Sequence, residues 1–232
     1  MTRVATRCPK CGTHVANRQL AEGLCPGCLL TAGATPGHEP PYEILAPIGS
    51  DTGGVTYLAE TTVGRSRHVA LKIVGPRDDW AAILSRFERW RPALDLIEHP
   101  TIRRLLDAGP VAPSSVYLAS EYIAGAGLEQ VLGNSPPRVD RAAIARQIAE
   151  GVAAAHRAGV VHGRLDVAHV KVLAAPRLAV KILGFATSAV VDGIEARLDD
   201  DVQAVLRLMQ DLEIDLGLEE WRSAADILRA IG

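Results

Sequence analysis

Residues 48–74 hold the pattern that decides the fold: Ile48-Gly49-Ser50-Asp51-Thr52-Gly53-Gly54-Val55-Thr56-Tyr57-Leu58-Ala59, a polar stretch, then His68-Val69-Ala70-Leu71-Lys72-Ile73-Val74. The apolar, β-branched runs are bounded by glycine or polar turns, which is how strands are punctuated. Tyr42, Ile44 and, after Pro47, Ile48 open the region as an earlier strand, and Val116-Tyr117-Leu118-Ala119-Ser120-Glu121-Tyr122 reads as a further one. Between them, residues 78–98 read as a helix that Pro92 is expected to break or kink near Arg91, because proline lacks an amide hydrogen and crowds the preceding turn. From about Val139 the period changes. Ile144, Ile148 and Val152 recur at helical spacing, Val202, Val205, Leu206 and Met209 form a second stripe, and Trp221, Ala225 and Leu228 a third. Strands first and helices second predict an α+β chain of two lobes.

Composition supports a folded domain. The chain has 232 residues, 48% hydrophobic and 22% charged, enough apolar mass for a core and too little charge for disorder. A net charge of −2 supplies no bulk field toward nucleic acid or acidic lipid. Only four lysines occur, Lys10, Lys72, Lys171 and Lys181, against a background of arginine, so each merits inspection. No apolar run is long enough for a membrane span, and the amino terminus lacks the apolar core of a secretory signal. The expected location is cytoplasmic.

All four cysteines fall within the first 28 residues, as Cys8-Pro9-Lys10-Cys11 and Cys25-Pro26-Gly27-Cys28 with 13 residues between the pairs. Two C-x2-C knuckles can direct four thiolates to the corners of a tetrahedron, the geometry of structural zinc. Gly12 and Gly27 permit the tight turns. Redox pairs or free thiols are the other readings, and matched knuckles with a proline inside each argue against both. Residues 1–33 are therefore expected to form a small zinc ribbon with Cys8, Cys11, Cys25 and Cys28 as ligands, and the metal to supply most of its folding free energy. Residues 34–41, rich in proline, read as a linker.

Residues 42–232 resemble a bacterial serine/threonine protein kinase domain, with a sheet lobe over 42–123 and a reduced helical lobe over 124–232. Gly49 to Tyr57 resembles the glycine-rich loop, Val69-Ala70-Leu71-Lys72 the lysine strand, and Arg86 to Ile102 the helix and turn that follow. Ser120-Glu121-Tyr122-Ile123 resembles the hinge, Val160 to Leu165 the catalytic loop, and Val180 to Ala186 the metal-binding segment. The double-knuckle module is similar to the ribbon that precedes some kinases of this kind. The resemblance implies Gly49, Gly54, Ala70 and Lys72 as the nucleotide contacts.

The chemical positions depart from that pattern. Arg164 stands where the family has its catalytic aspartate, Asp166 where it has a lysine, and His169 where an asparagine binds a second magnesium. Gly184 replaces the aspartate that holds the principal magnesium, Trp90 the helix glutamate, and Asp51 the second loop glycine. Arginine cannot serve as a base, since its pKa exceeds about 12. Magnesium loses both protein ligands, and ATP would bring roughly four negative charges toward a site that Asp51 makes more negative. Two unit charges at about 4 Å repel by about 1 kcal/mol in water and about 4 at an effective dielectric near 20. His162 is expected to be a buried scaffold residue, and Arg164 to pair with Asp166 or a carbonyl. Only 16 residues separate Gly184 from Asp201, with no Ala-Pro-Glu between them, so the platform for a peptide substrate is absent from the sequence. The sequence thus predicts an inactive kinase-like module that binds a protein partner, with structural zinc and no magnesium. A metal-independent ATP or ADP sensor is the alternative, and an active kinase the least favoured reading.

Overall fold

The computed structural model describes residues 6–8, 14–15, 25, 27–28, 30, 41–51, 53–111, 114–133, 140–173, 178–217 and 221–231. Cys11, Thr52 and nearly all of the expected linker lie outside the described residues. The chain divides into two units, Met1–Phe87 with Arg104–Tyr122, and Glu88–Arg103 with Ile123–Gly232. The sequence assigned residues 88–103 to the sheet lobe; in the structure they pack with the helical unit.

The first unit is built on an antiparallel sheet. Its strands are β3 (Tyr42–Asp51), β4 (Gly54–Thr61), β5 (His68–Val74), β6 (Leu105–Val111) and β7 (Ser115–Glu121), in the order β3-β4-β5-β7-β6. A two-stranded ladder of β1 (Thr6–Arg7) and β2 (His14–Val15) precedes it. The core gathers Ile44, Tyr57, Ala59, Val69, Leu71, Ile73, Val111, Tyr117 and Ala119. Gly54 is obligatory, because at φ +144° a Cβ would run into the Ile73 carbonyl of β5. Strand β6 was not legible beforehand: Asp107, Gly109 and Pro110 interrupt any alternation. It lies at the sheet edge, where a missing amide hydrogen is tolerated.

Helix α1 (Trp80–Asp95) buries Ile83 and Phe87 and runs through Pro92 unbroken. The expected break does not occur. Pro92 and Glu88 both face solvent, so water can satisfy the Glu88 carbonyl that proline leaves without an amide partner.

In the second unit, α2 (Leu128–Gly133), α3 (Arg141–Arg157), α4 (Leu198–Asp211) and α5 (Ala224–Ile231) accompany a small sheet of β8 (Ala126–Gly127), β9 (Val170–Leu173) and β10 (Ala179–Ile182). Asp140 caps α3 by accepting from the Ala143 amide at 2.9 Å. The expected stripe Ile144, Ile148 and Val152 is fully buried, each side chain stabilising by about 1.5–3 kcal/mol. On α4, Val202, Val205 and Met209 are buried and Leu208 joins them, while Leu206 is only half-buried. The third stripe is offset by one residue. Ala224 and Ile227 are the buried pair, because the helix begins at Ala224 and Trp221 precedes it. Strands β9 and β10 were missed because two four-residue segments show too little alternation to outweigh the helical pattern around them. No helix among the described residues is long and apolar enough to cross a membrane.

Candidate functional site

The expected nucleotide contacts all lie in the sheet unit. Gly49 is on β3, Gly54 opens β4, and Ala70 and Lys72 are on β5. Ala70 is buried, whereas a Cβ at Gly49 would meet nothing within 4 Å. The Lys72 ammonium is already engaged. Its Nζ lies 2.7 Å from Asp51 Oδ2, and Asp51 Oδ1 accepts from the Gly53 amide at 2.8 Å. Asp51 thus folds the glycine-rich turn onto the lysine, so the carboxylate read as repulsive to phosphate is also the lysine's counter-ion. In the helical unit, Glu88 pairs with Arg91 at 3.7 Å and Trp90 packs against the apolar cluster, its indole Nε1 buried with no hydrogen-bond partner among the described residues.

The second group of candidates lies on the loop between α3 and β9. His162 is 1% exposed, as a scaffold residue should be. Its Nε2 donates to the Leu183 carbonyl at 2.7 Å, while Nδ1 accepts from the Arg164 amide at 3.3 Å. Its ring packs edge-on against Phe185 and His169. Burial, helped by the His169 imidazole, pushes His162 down to about 4 and keeps the ring neutral. Beneath it, Asp201 at the start of α4 is fully buried. Asp201 accepts from the His162 amide at 2.7 Å, the Gly163 amide at 2.8 Å and His156 Nε2 at 2.9 Å. Burial alone would raise its carboxyl; these hydrogen bonds outweigh burial and hold it below the ordinary carboxylate range.

The loop's surface is arranged differently. Arg164 reaches Asp192, with Nη1 to Oδ2 at 3.5 Å, and not Asp166, one of the two partners expected beside a carbonyl. Asp166 turns back to cap the 3-10 turn Val167–His169. Its Oδ1 accepts from the Ala168 amide at 2.9 Å and lies 2.7 Å from His169 Nδ1. That short-range cap takes the carboxylate away from the arginine. Gly184 has φ +90°, and the nearest atoms to a Cβ there are His169 Cδ2 and Thr187 Oγ1 at 3.5 Å and His162 Cε1 at 3.9 Å. No carboxylate is among them. A magnesium ion requires hard oxygen ligands near about 2.1 Å. A glycine and an imidazole whose Nδ1 is engaged by Asp166 do not fit it.

One participant is not singled out by the sequence analysis: Asp201, although an acid beside the buried Val202 and Val205 signals an internal hydrogen-bonded anchor. Lys171 on β9 donates to the Ile123 carbonyl at 3.2 Å, and burial, then Arg103, lowers its ammonium pKa. At the amino-terminal module, Cys8, Cys25 and Cys28 converge, with their sulfur atoms all within 4.8 Å of one another. The fourth expected ligand, Cys11, lies outside the described residues.

The family model for protein tyrosine and serine/threonine kinases matches residues 43–207. Serine/threonine-protein kinase pkn2 of Myxococcus xanthus is 34% identical over 123 residues, 52% of this chain and 15% of the relative. Serine/threonine-protein kinase pkn3 of the same organism is 31% identical over 164 residues, 66% of this chain and 29% of the relative. The chain therefore spans less than a third of these two curated relatives. Among solved structures, the Mycobacterium tuberculosis PknI kinase domain superposes with a TM-score of 0.59 at 19% identity, covering 80% of this chain and 81% of that one. This likeness shows the shared fold.

Proposed function

Because the chain belongs to the protein tyrosine and serine/threonine kinase family, we propose that it is a degenerate member, a pseudokinase that works as a binding or scaffold module and transfers no phosphate. The observation that carries this reading is a pair of positions on the helical unit: Arg164 at the acceptor position, and Gly184, where no carboxylate is among the three atoms nearest a Cβ. Phosphoryl transfer rests on positioning and charge neutralisation by a metal-bound triphosphate. Neither position supplies an oxygen ligand or a base. The Asp51–Lys72 pair adds to this, since a phosphate group would have to displace a carboxylate to reach the ammonium. A protein partner is the class of ligand this reading favours, because a net charge of −2 gives no general attraction to nucleic acid.

The test is transfer of radiolabelled phosphate from ATP to the protein itself and to a generic basic protein, with magnesium or manganese. No incorporation above the no-enzyme blank is expected. Transfer that Lys72→Ala abolishes would overturn the proposal. Thermal shift without divalent metal addresses the sensor alternative. A flat curve to millimolar ATP or ADP is expected for the native chain, since only a ligand that binds the folded state raises its midpoint.

A further inference from the structure

We infer that Cys8, Cys25 and Cys28 are ligands of a structural zinc ion built into the sheet unit, so that the metal stabilises the five-stranded sheet and is not confined to a tethered appendage. Three observations carry this. Cys8 Sγ and Cys28 Sγ are 3.7 Å apart. A disulfide would bring them to about 2.05 Å, whereas a tetrahedron with metal–sulfur bonds of about 2.3 Å has edges of about 3.8 Å. The Cys28 amide also donates to Cys25 Sγ at 3.3 Å, a contact that favours a thiolate. Cys25 and Cys28 are 1% and 4% exposed, so thiolates at these positions would be stabilised by a bound cation. Soft thiolate donors in tetrahedral array select zinc over oxygen-seeking cations. Cys11, the remaining cysteine of the paired knuckles, is the fourth ligand offered by the sequence.

The connection to the sheet comes through two residues. Leu30, two positions beyond Cys28, is 3% exposed and belongs to the same apolar cluster as Ile44, Tyr57, Ala59, Val69 and Leu71. Tyr57 of β4 is 2% exposed and packs in that same cluster with Leu30. The β1–β2 ladder approaches β3 as well. Releasing the metal would therefore free Leu30 from the core and uncover Tyr57, loosening β3, β4 and β5.

The experiment uses the full chain purified with zinc and without added chelator. Metal is measured by release to a colorimetric chelator, and amide hydrogen exchange is followed with and without a strong zinc chelator under reducing conditions. About one zinc per chain is expected. Chelation should speed exchange across residues 42–74 at least tenfold, leave α3 protected, and lower the unfolding midpoint by about 10 °C. Cys25→Ser and Cys28→Ser should each lose the zinc. Should those variants fail to fold, Leu30→Ala separates the claims: it should retain the zinc while the exchange response of residues 42–74 to chelation shrinks severalfold. Zinc below about a tenth of an equivalent, a mass deficit of two hydrogens marking a disulfide, or exchange over residues 42–74 that ignores chelation would each overturn the inference.

Discussion

The buried groups beneath the His162–His169 loop and the side chains on its surface follow opposite rules. Below, Asp201 and His162 are 0% and 1% exposed, and Asp201 satisfies two backbone amides and one imidazole. Above, the Arg164 and Asp166 side chains are each 59% exposed, and both stand where the family has a different residue. A buried polar group that loses its partner costs stability directly; an exposed one exchanges its partner for water. The scaffold can therefore persist after the groups that would do chemistry have changed. This comparison explains why the fold remains that of a kinase while the proposed function does not.

Removing the anchor should break the comparison most forcefully. Asp201→Ala strands the His162 and Gly163 amides and the His156 ring in the interior. Breaking a buried charged hydrogen-bond set costs about 3–5 kcal/mol. For a chain of this size that corresponds to a fall of about 6–20 °C in the unfolding midpoint. Asp201→Asn, which keeps one acceptor, should fall less. A loss under about 2 °C in Asp201→Ala would show that the anchor carries little load.

A change of pH probes the same layer with a smaller effect. His162 titrates near 4 in the folded chain, against 6.5 ordinarily, so the unfolded chain binds the proton first. Stability therefore rises with pH across that interval and is lost as pH falls from 6.5 toward 4, by on the order of 2–3 kcal/mol. Asp201 has the carboxylate sign: its depressed pKa contributes stability above 3.8 that is lost as pH falls through its lower folded value. Urea unfolding of the native chain from pH 7 to 4 should show the first decline, and His162→Gln should flatten it. Parallel curves for the two proteins would sink the assignment.

Legibility in the sequence followed the same division. Strands β4, β5 and β7 and the α3 stripe were readable because long apolar runs with glycine or polar boundaries report local geometry. The edge strand β6 was not, since Asp107, Gly109 and Pro110 are set by position in the sheet and not by local preference. The offset in α5 arose because the stripe was taken to start at Trp221, and only the packed chain shows that the helix starts at Ala224. At the candidate site, the missing carboxylates at Arg164 and Gly184 could be read directly from residue identity. The new partners could not. Lys72 finding Asp51, and Arg164 finding Asp192, depend on how the glycine-rich turn and the segment after Phe185 fold back.

The smallest expected effect tests the exposed layer itself. Arg164 meets Asp192 at 3.5 Å with most of its side chain in solvent. Such pairs contribute about 0–1 kcal/mol, because water replaces the lost contact and holding two side chains still costs entropy. Arg164→Ala should therefore move the midpoint by less than about 2 °C at moderate salt. Asp51→Ala and Lys72→Ala, at the partly exposed pair in the sheet unit, should behave likewise. A drop at Arg164 comparable to that of Asp201→Ala would mean that the loop's surface has become structural. The arginine would then be part of the scaffold, and its presence at the acceptor position would say nothing about lost chemistry.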